Sequence, residues 1–130
     1  MEARPSPISE AELDVLKTLW DLGPSTVRAV NTALRRGDRR WAYTTVLTLL
    51  QRLEAKGYAR SDKTRPAHVF SAAVSREQLL GRQLRDLADR LCDGTASPLL
   101  LALVEDGRLT PDDVQELRRL LDRLDRRGPE

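Results

Sequence analysis

Thr44, Thr45 and Thr48, with Tyr43 before them and Gln51 and Arg52 after, fall on one side of a helical repeat. A helix reads the DNA major groove only if its outward face is slim and carries hydrogen-bonding groups. A threonine hydroxyl can bond a base edge or a phosphate, and its methyl can meet a thymine methyl. Arg52 lies further along and is better placed for a phosphate. Two other roles stay open for these side chains. Thr44 or Thr45 can serve as the helix N-cap, and can do so while contacting phosphate, because helix N-termini bind anions. Tyr43 can read DNA or pack against the preceding helix. Lys63 and Arg65 occupy a turn between two alternating segments, where a cation reaches the sugar-phosphate backbone without reading sequence. Arg39 and Arg40, just before the threonine helix, are further candidate phosphate contacts.

Other chemistry is poorly supported. His68 is the sole histidine and has no cluster of Cys or Glu at ligand spacing, so it is expected to flank the turn rather than bind metal. Cys92, the sole cysteine, has no partner for an internal disulfide. It reads as a small core residue or, near a two-fold axis, as half of an intersubunit disulfide. The chain has no Gly-rich phosphate loop, nucleophile elbow or framed carboxylate pair, so neither an enzyme nor a cofactor is expected.

The elements that must position the threonines follow from caps and periodicity. Ser9 with Glu12 makes a capping box for a first helix, with Leu13, Leu16, Leu19 and Trp20 inward and Gly23-Pro24 as its stop. Ser25 is expected to cap a second helix carrying Val27, Val30 and Leu34, which ends near Gly37. The third helix starts between Ala42 and Thr44 and ends at Gly57, with Val46, Leu49, Leu50 and Leu53 inward. Residues 58–62 and 68–71 then alternate as two strands around the Lys63–Pro66 turn, and a short strand near Arg40-Trp41 would complete the sheet. Three helices and a hairpin in this order make a winged helix-turn-helix.

Length and charge agree with that organisation. The 130 residues suit one domain or two small ones. Hydrophobic residues are 40% and aromatics only 4%, so the core must be built from Leu, Val and Ala. No apolar run approaches the roughly 20 residues that cross a bilayer, and the first residues lack a signal-peptide core. A single cysteine fits a reducing, cytoplasmic setting. The formal net charge is +2, but residues 1–74 carry 12 Lys and Arg against 8 Asp and Glu, while residues 75–130 carry 10 against 12. Residues 28–65 are the most basic stretch, with 10 positive and 3 negative side chains. A basic first half suits a polyanion, and a solvated charged surface is the plainer alternative.

The second half is helical. Ser75 and Gln78 form a capping box before a stripe of Leu79, Leu80, Leu84, Leu87 and Leu91, broken at Asp93-Gly94. Ser97-Pro98 opens a short apolar helix through Leu99, Leu100, Leu103 and Val104 to Gly107. Thr110 caps a last helix with Pro111 at its first position and a stripe of Val114, Leu117, Leu120, Leu121 and Leu124. Helices this short cannot hide so many leucines in one small unit. A second copy of the chain covers them economically, through an interface of Leu80, Leu84, Leu87, Leu91, Leu100, Leu103, Leu117, Leu120, Leu121 and Leu124. Folding back onto the first half is the alternative. The domains are then an arm at 1–7, a DNA-binding domain at 8–74 and a dimerisation domain at 75–127. The fold class is mainly α with a small β-hairpin.

The run Trp41-Ala42-Tyr43-Thr44-Thr45-Val46-Leu47-Thr48-Leu49-Leu50-Gln51-Arg52-Leu53-Glu54-Ala55-Lys56-Gly57 resembles the recognition helix of the BlaI/MecI family of penicillinase and methicillin-resistance repressors. Ile8 through Trp20 resembles that family's first helix, and Leu109 through Leu121 its last. The resemblance implies a homodimer that blocks transcription from an inverted-repeat operator with TACA/TGTA-like half-sites. It also implies control of β-lactam resistance or envelope-stress genes through a membrane sensor and protease. Family members are cut at an Asn-Phe pair, where this chain has Ala102-Leu103, so the resemblance does not extend to that bond. The chain also lacks the cysteine-rich hook of related copper-responsive repressors. The rival functions are a ligand-responsive winged-helix regulator and a winged helix that docks an acidic protein.

Overall fold

The computed structural model describes residues 7–127, so most of the N-terminal arm and the last three residues lie outside the described part. The element order is α1 (Glu10–Leu22), β1 (Ser25–Thr26), α2 (Val27–Arg36), α3 (Tyr43–Ala55), β2 (Ala59–Asp62), β3 (Val69–Ala72), α4 (Arg76–Leu91), α5 (Ser97–Glu105) and α6 (Pro111–Arg127). Contacts divide the chain into Met1–Leu80 and Gly81–Glu130, and the division falls inside α4 rather than before it.

Local chemistry starts and stops the helices. Ser9 Oγ accepts from the Glu12 N–H at 3.1 Å, and Glu12 Oε1 accepts from the Ser9 N–H at 2.9 Å, closing the capping box of α1. The end of α3 is a Schellman motif: Tyr58 N–H donates to Leu53 O and Gly57 N–H to Glu54 O. That motif needs a left-handed residue, and Gly57 supplies φ +86°. The same motif ends α2, with Arg39 N–H on Leu34 O and Asp38 N–H on Arg35 O. There the left-handed residue is Asp38, at φ +78°.

The core of the first unit is aliphatic around a single phenylalanine. Phe70, Leu16, Leu19, Leu50, Leu53, Val15, Val30 and Val46 are fully buried. The inward face of α1 is Glu12, Val15, Leu16 and Leu19, whereas Leu13 and Trp20 sit at its edges, half-buried against the core. Leu16 and Leu19 of the expected stripe are thus at its centre, and Glu12 and Val15 complete the inner face. Trp20 is held from the far end of the unit, donating Nε1–H to Val74 O at 2.8 Å while the Arg76 guanidinium lies 4.9 Å over its ring.

Two local expectations are corrected. Ser25 does not cap α2. It is buried in β1, opposite Phe70, and Thr26 caps instead by accepting from Ala29 N–H at 3.2 Å. Nor do Arg40 and Trp41 form a strand. The sheet order is β1-β3-β2, all antiparallel, so both edges of the central β3 are already taken. The Trp41 carbonyl accepts from Asn31 Nδ2 at 3.0 Å, which serves in place of a ladder bond.

Glu12 is 2% exposed and pairs with Lys56 at 2.7 Å, joining α1 to the end of α3. Lys56 Nζ also donates to Pro7 O at 3.0 Å. Burial, the largest single influence, pushes the Glu12 carboxyl pKa up. The Lys56 hydrogen bond and charge, with the Ser9 backbone N–H, together outweigh it and hold the carboxyl below its usual range. A depressed native pKa stabilises the fold above the unfolded-state value, and that contribution disappears as the pH falls through the native value. Glu12→Gln keeps the capping oxygen and loses the charge. It is expected to cost about 1–3 kcal/mol near neutral pH in urea unfolding, discounted because Lys56 keeps some solvent. The gap between variant and parent should narrow as the pH falls from neutral through the depressed native value. A gap that stays constant as the pH falls would place the cost outside the ion pair.

The last three helices follow their caps and stops. Ser75 with Gln78 and Thr110 with Asp113 each exchange reciprocal side-chain bonds. Asp93 and Gly94 take positive φ between α4 and α5, as does Gly107 between α5 and α6. No residue of α5 or α6 is buried.

Candidate nucleic-acid interface

The third helix faces the core with Val46, Leu49, Leu50 and Leu53 and turns Tyr43, Thr44, Thr45, Thr48, Gln51 and Arg52 to the outside. Its N-cap is Ala42, which offers no side-chain acceptor. Thr44 and Thr45 therefore lie inside the first turn, and the N-cap role considered for them is not the observed one. Their hydroxyls have no partner among the described residues. Thr48 Oγ1 donates to Thr44 O at 2.9 Å, so its proton is used within the helix while its lone pairs and methyl remain available. An uncapped N-terminus also leaves outward backbone N–H groups at the positive end of the helix dipole. Tyr43 is 51% exposed rather than packed away against α2.

The wing is the loop between β2 and β3. Asp62 Oδ1 accepts from both Thr64 Oγ1 at 2.6 Å and Thr64 N–H at 3.0 Å. These bonds, led by the hydroxyl, hold the Asp62 carboxyl below its usual range. Lys63, Arg65 and His68 are all exposed. Glu54 of α3 fastens the wing's base: it accepts from Ser61 Oγ at 2.6 Å and lies 3.9 Å from Lys63 Nζ. Sequence reading missed this link. Glu54 and Ser61 lie on either side of Gly57, and only the reversal there brings them together.

The basic residues before α3 differ from one another. Arg40 is exposed with no ion pair among the described residues. Arg39 is only half free: it pairs with Asp14 of α1 at 2.8 Å and lies 5.2 Å over the Trp41 ring. Arg28, Arg35 and Arg36 on α2 are exposed as well and add to the basic surface of this unit.

Leu80, the last residue of the first unit, is exposed, and in the second unit so are Leu84, Leu91, Leu100, Leu103, Leu120, Leu121 and Leu124, with Leu101 and Val104. Leu87 and Leu117 are half-buried. A groove of about 380 Å³ between α5 and α6 of this unit is lined by Leu100, Leu103, Val104, Leu117 and Leu120. Cys92 is half-buried just past α4, less enclosed than a core residue. Among the described residues, no group of His, Cys, Asp and Glu could hold a metal ion, and no helix is long and apolar enough to cross a membrane.

Known proteins resemble this chain along most of its length. The family described as "Penicillinase repressor" matches residues 8–123. The "Transcriptional regulator BlaI" of Mycobacterium tuberculosis is 34% identical over 120 residues, covering 91% of this chain and 85% of that protein. The "Penicillinase repressor" of Bacillus licheniformis is 25% identical over 115 residues, covering 88% and 89% respectively. Among solved structures, the DNA-binding domain of the repressor BlaI superposes with a TM-score of 0.50 at 28% identity, covering 60% of this chain and 93% of that domain.

Proposed function

The chain belongs to the penicillinase repressor family, and on that premise we propose that it represses transcription as a homodimer bound to an inverted-repeat operator. The observation that carries this reading is the outer face of α3. It is uncapped, slim, rich in hydroxyls, and flanked by exposed cations. Each subunit lays α3 in a major groove, with Tyr43, Thr44, Thr45 and Thr48 toward base edges. Arg40, Arg52, Lys63 and Arg65 hold phosphates and set the register. The outward N–H groups of the first turn of α3 suit a further phosphate.

The exposed leucines of the second unit support pairing through a two-fold interface, which holds two readers about one helical turn apart. The operator half-sites are of the TACA/TGTA kind and the regulated genes serve β-lactam resistance or the envelope. The protein works in the cytoplasm, as a binder and not an enzyme. Release through a membrane sensor and protease does not use the family's Asn-Phe bond. Ala102-Leu103 stand at that place, inside α5, where a protease must unwind helix before it can cut.

Selection of DNA from a random pool by the purified protein, followed by gel-shift titration, tests the reading. An inverted repeat should emerge, and affinity should fall steeply with salt as counterions are released. No selected sequence and no shift at low salt would sink it. Thr45→Ala should cost about 1–3 kcal/mol of binding and relax preference at particular bases, whereas Arg52→Ala should weaken all sequences alike and lower the salt slope by about one. A uniform loss from Thr45→Ala would make Thr45 a backbone contact.

A further inference from the structure

Arg39 carries a feature that its neighbour Arg40 lacks. Its guanidinium is bracketed by the Asp14 carboxylate at 2.8 Å and the Trp41 ring at 5.2 Å. The Asp14 Oδ2 atom is buried and meets no well-aligned hydrogen-bond donor among the described residues, so Arg39 is the charge that compensates it. Lys17 and Asp21 line the same groove between α1 and α2, yet neither pairs with Asp14 or Arg39 among the described residues. The backbone is held as firmly as the side chain. Arg39 N–H closes the Schellman motif on Leu34 O at 2.8 Å, and Trp41 O accepts from Asn31 of α2 at 3.0 Å. Trp41 immediately precedes Ala42, the N-cap of α3. Asp14, Arg39, Trp41 and Asn31 thus form a chain of contacts from α1 and α2 to the entry of α3.

A guanidinium suits such a place because it is flat, permanently charged, and can stack on an indole while pairing with a carboxylate. An arginine kept for phosphate would gain nothing from a carboxylate at ion-pair distance, which competes with the phosphate for it. We propose that Arg39 is a positioning residue: clamped between Asp14 and Trp41, it sets the entry of α3 and is not itself a phosphate contact. The proposal rests on the repressor reading and deepens it, by separating the arginine that braces the reader from those that touch DNA.

The two roles for Arg39 predict opposite signs. If Arg39 braces α3, Asp14→Asn and Arg39→Gln each weaken binding to the selected operator about five- to tenfold, consistent with an exposed ion pair plus a cation–π contact. The double variant then loses no more than either single one, because both changes break one unit. The salt slope stays that of the parent in all three, and Arg39→Lys restores only part of the affinity, since an ammonium does not stack as a flat group does. If Arg39 holds a phosphate, Asp14→Asn tightens binding by freeing it, and Arg39→Gln lowers the salt slope by about one. Either of those results overturns the proposal. A second readout needs no DNA. The indole N–H signal of Trp41 in a ¹H–¹⁵N spectrum should move in both single variants, while that of Trp20, bonded to Val74 O, stays in place as a control for folding. An unmoved Trp41 signal overturns the brace. If the parent protein selects no DNA, the repressor reading fails by itself and the Trp41 signal still decides the clamp.

Discussion

Replacing both Leu120 and Leu124 by Glu is expected to break the proposed homodimer and to weaken binding to the proposed inverted-repeat operator by about two orders of magnitude or more. Both side chains lie on α6 and are 42% and 59% exposed in the single chain. A buried leucine contributes about 1.5–3 kcal/mol relative to an exposed one, and two-fold symmetry counts each substitution twice. A carboxylate in that position adds the cost of desolvating an unpaired charge. The operator effect is larger than a contact loss because a dimer makes the second half-site an intramolecular event, and a monomer forfeits that gain. Light scattering reads the mass, and gel shifts on full and half operators read the binding. The N-terminal unit should keep its thermal transition, because both substitutions lie within Gly81–Glu130. Half-site binding should then be nearly unchanged. A variant that remains dimeric with parental affinity would remove the α6 face from the interface.

Phe70→Ala should be the most destabilising single substitution in the reading unit, at about 3–5 kcal/mol. Phe70 is 1% exposed, the largest fully buried side chain, and stands on the central strand of the sheet. Its register partners are Ser25 on one side and Ser61 on the other. The other fully buried apolar side chains are Leu and Val, too small to replace a ring, so the cavity would stay open. A domain of this size holds about 5–15 kcal/mol in total, and each kcal/mol moves its melting temperature by roughly 4–8 °C. The near-ultraviolet signal of Trp20 and Trp41 reports that transition directly. Phe70→Leu, which keeps most of the volume, should recover much of the loss. A shift of only a few degrees for Phe70→Ala would show that the Phe70 ring is not a main support of this core.

Both predictions depend on features of very different legibility. The leucine stripes, the capping boxes at Ser9, Ser75 and Thr110, and the stop at Gly57 are written within three or four residues of one another. Helix periodicity alone separates Thr44, Thr45 and Thr48 from Val46, Leu49 and Leu50, so the outer face of α3 is legible before any fold. The wing's two strands were visible for the same reason, through alternation around a polar turn.

Folding decided whatever joins distant segments. Glu12 and Lys56 are 44 positions apart, and a capping glutamate gives no sign that it will also be buried against a lysine. Ser25 looks like the cap of α2 until β3 pairs with it; Ser25 then lies buried opposite Phe70, and Thr26, paired with Val69, caps the helix instead. The same pairing gives the place beside β3 to Ser25 and Thr26 rather than to Arg40 and Trp41. Arg39 and Arg40 are indistinguishable as neighbours in the sequence, yet only Arg39 meets Asp14 across the α1–α2 groove. Caps, stops and faces depend on bonds that close within one turn of chain, so residue order determined them. Which strand completes the sheet and which arginine is free depend on contacts between elements, and only the packed core could choose.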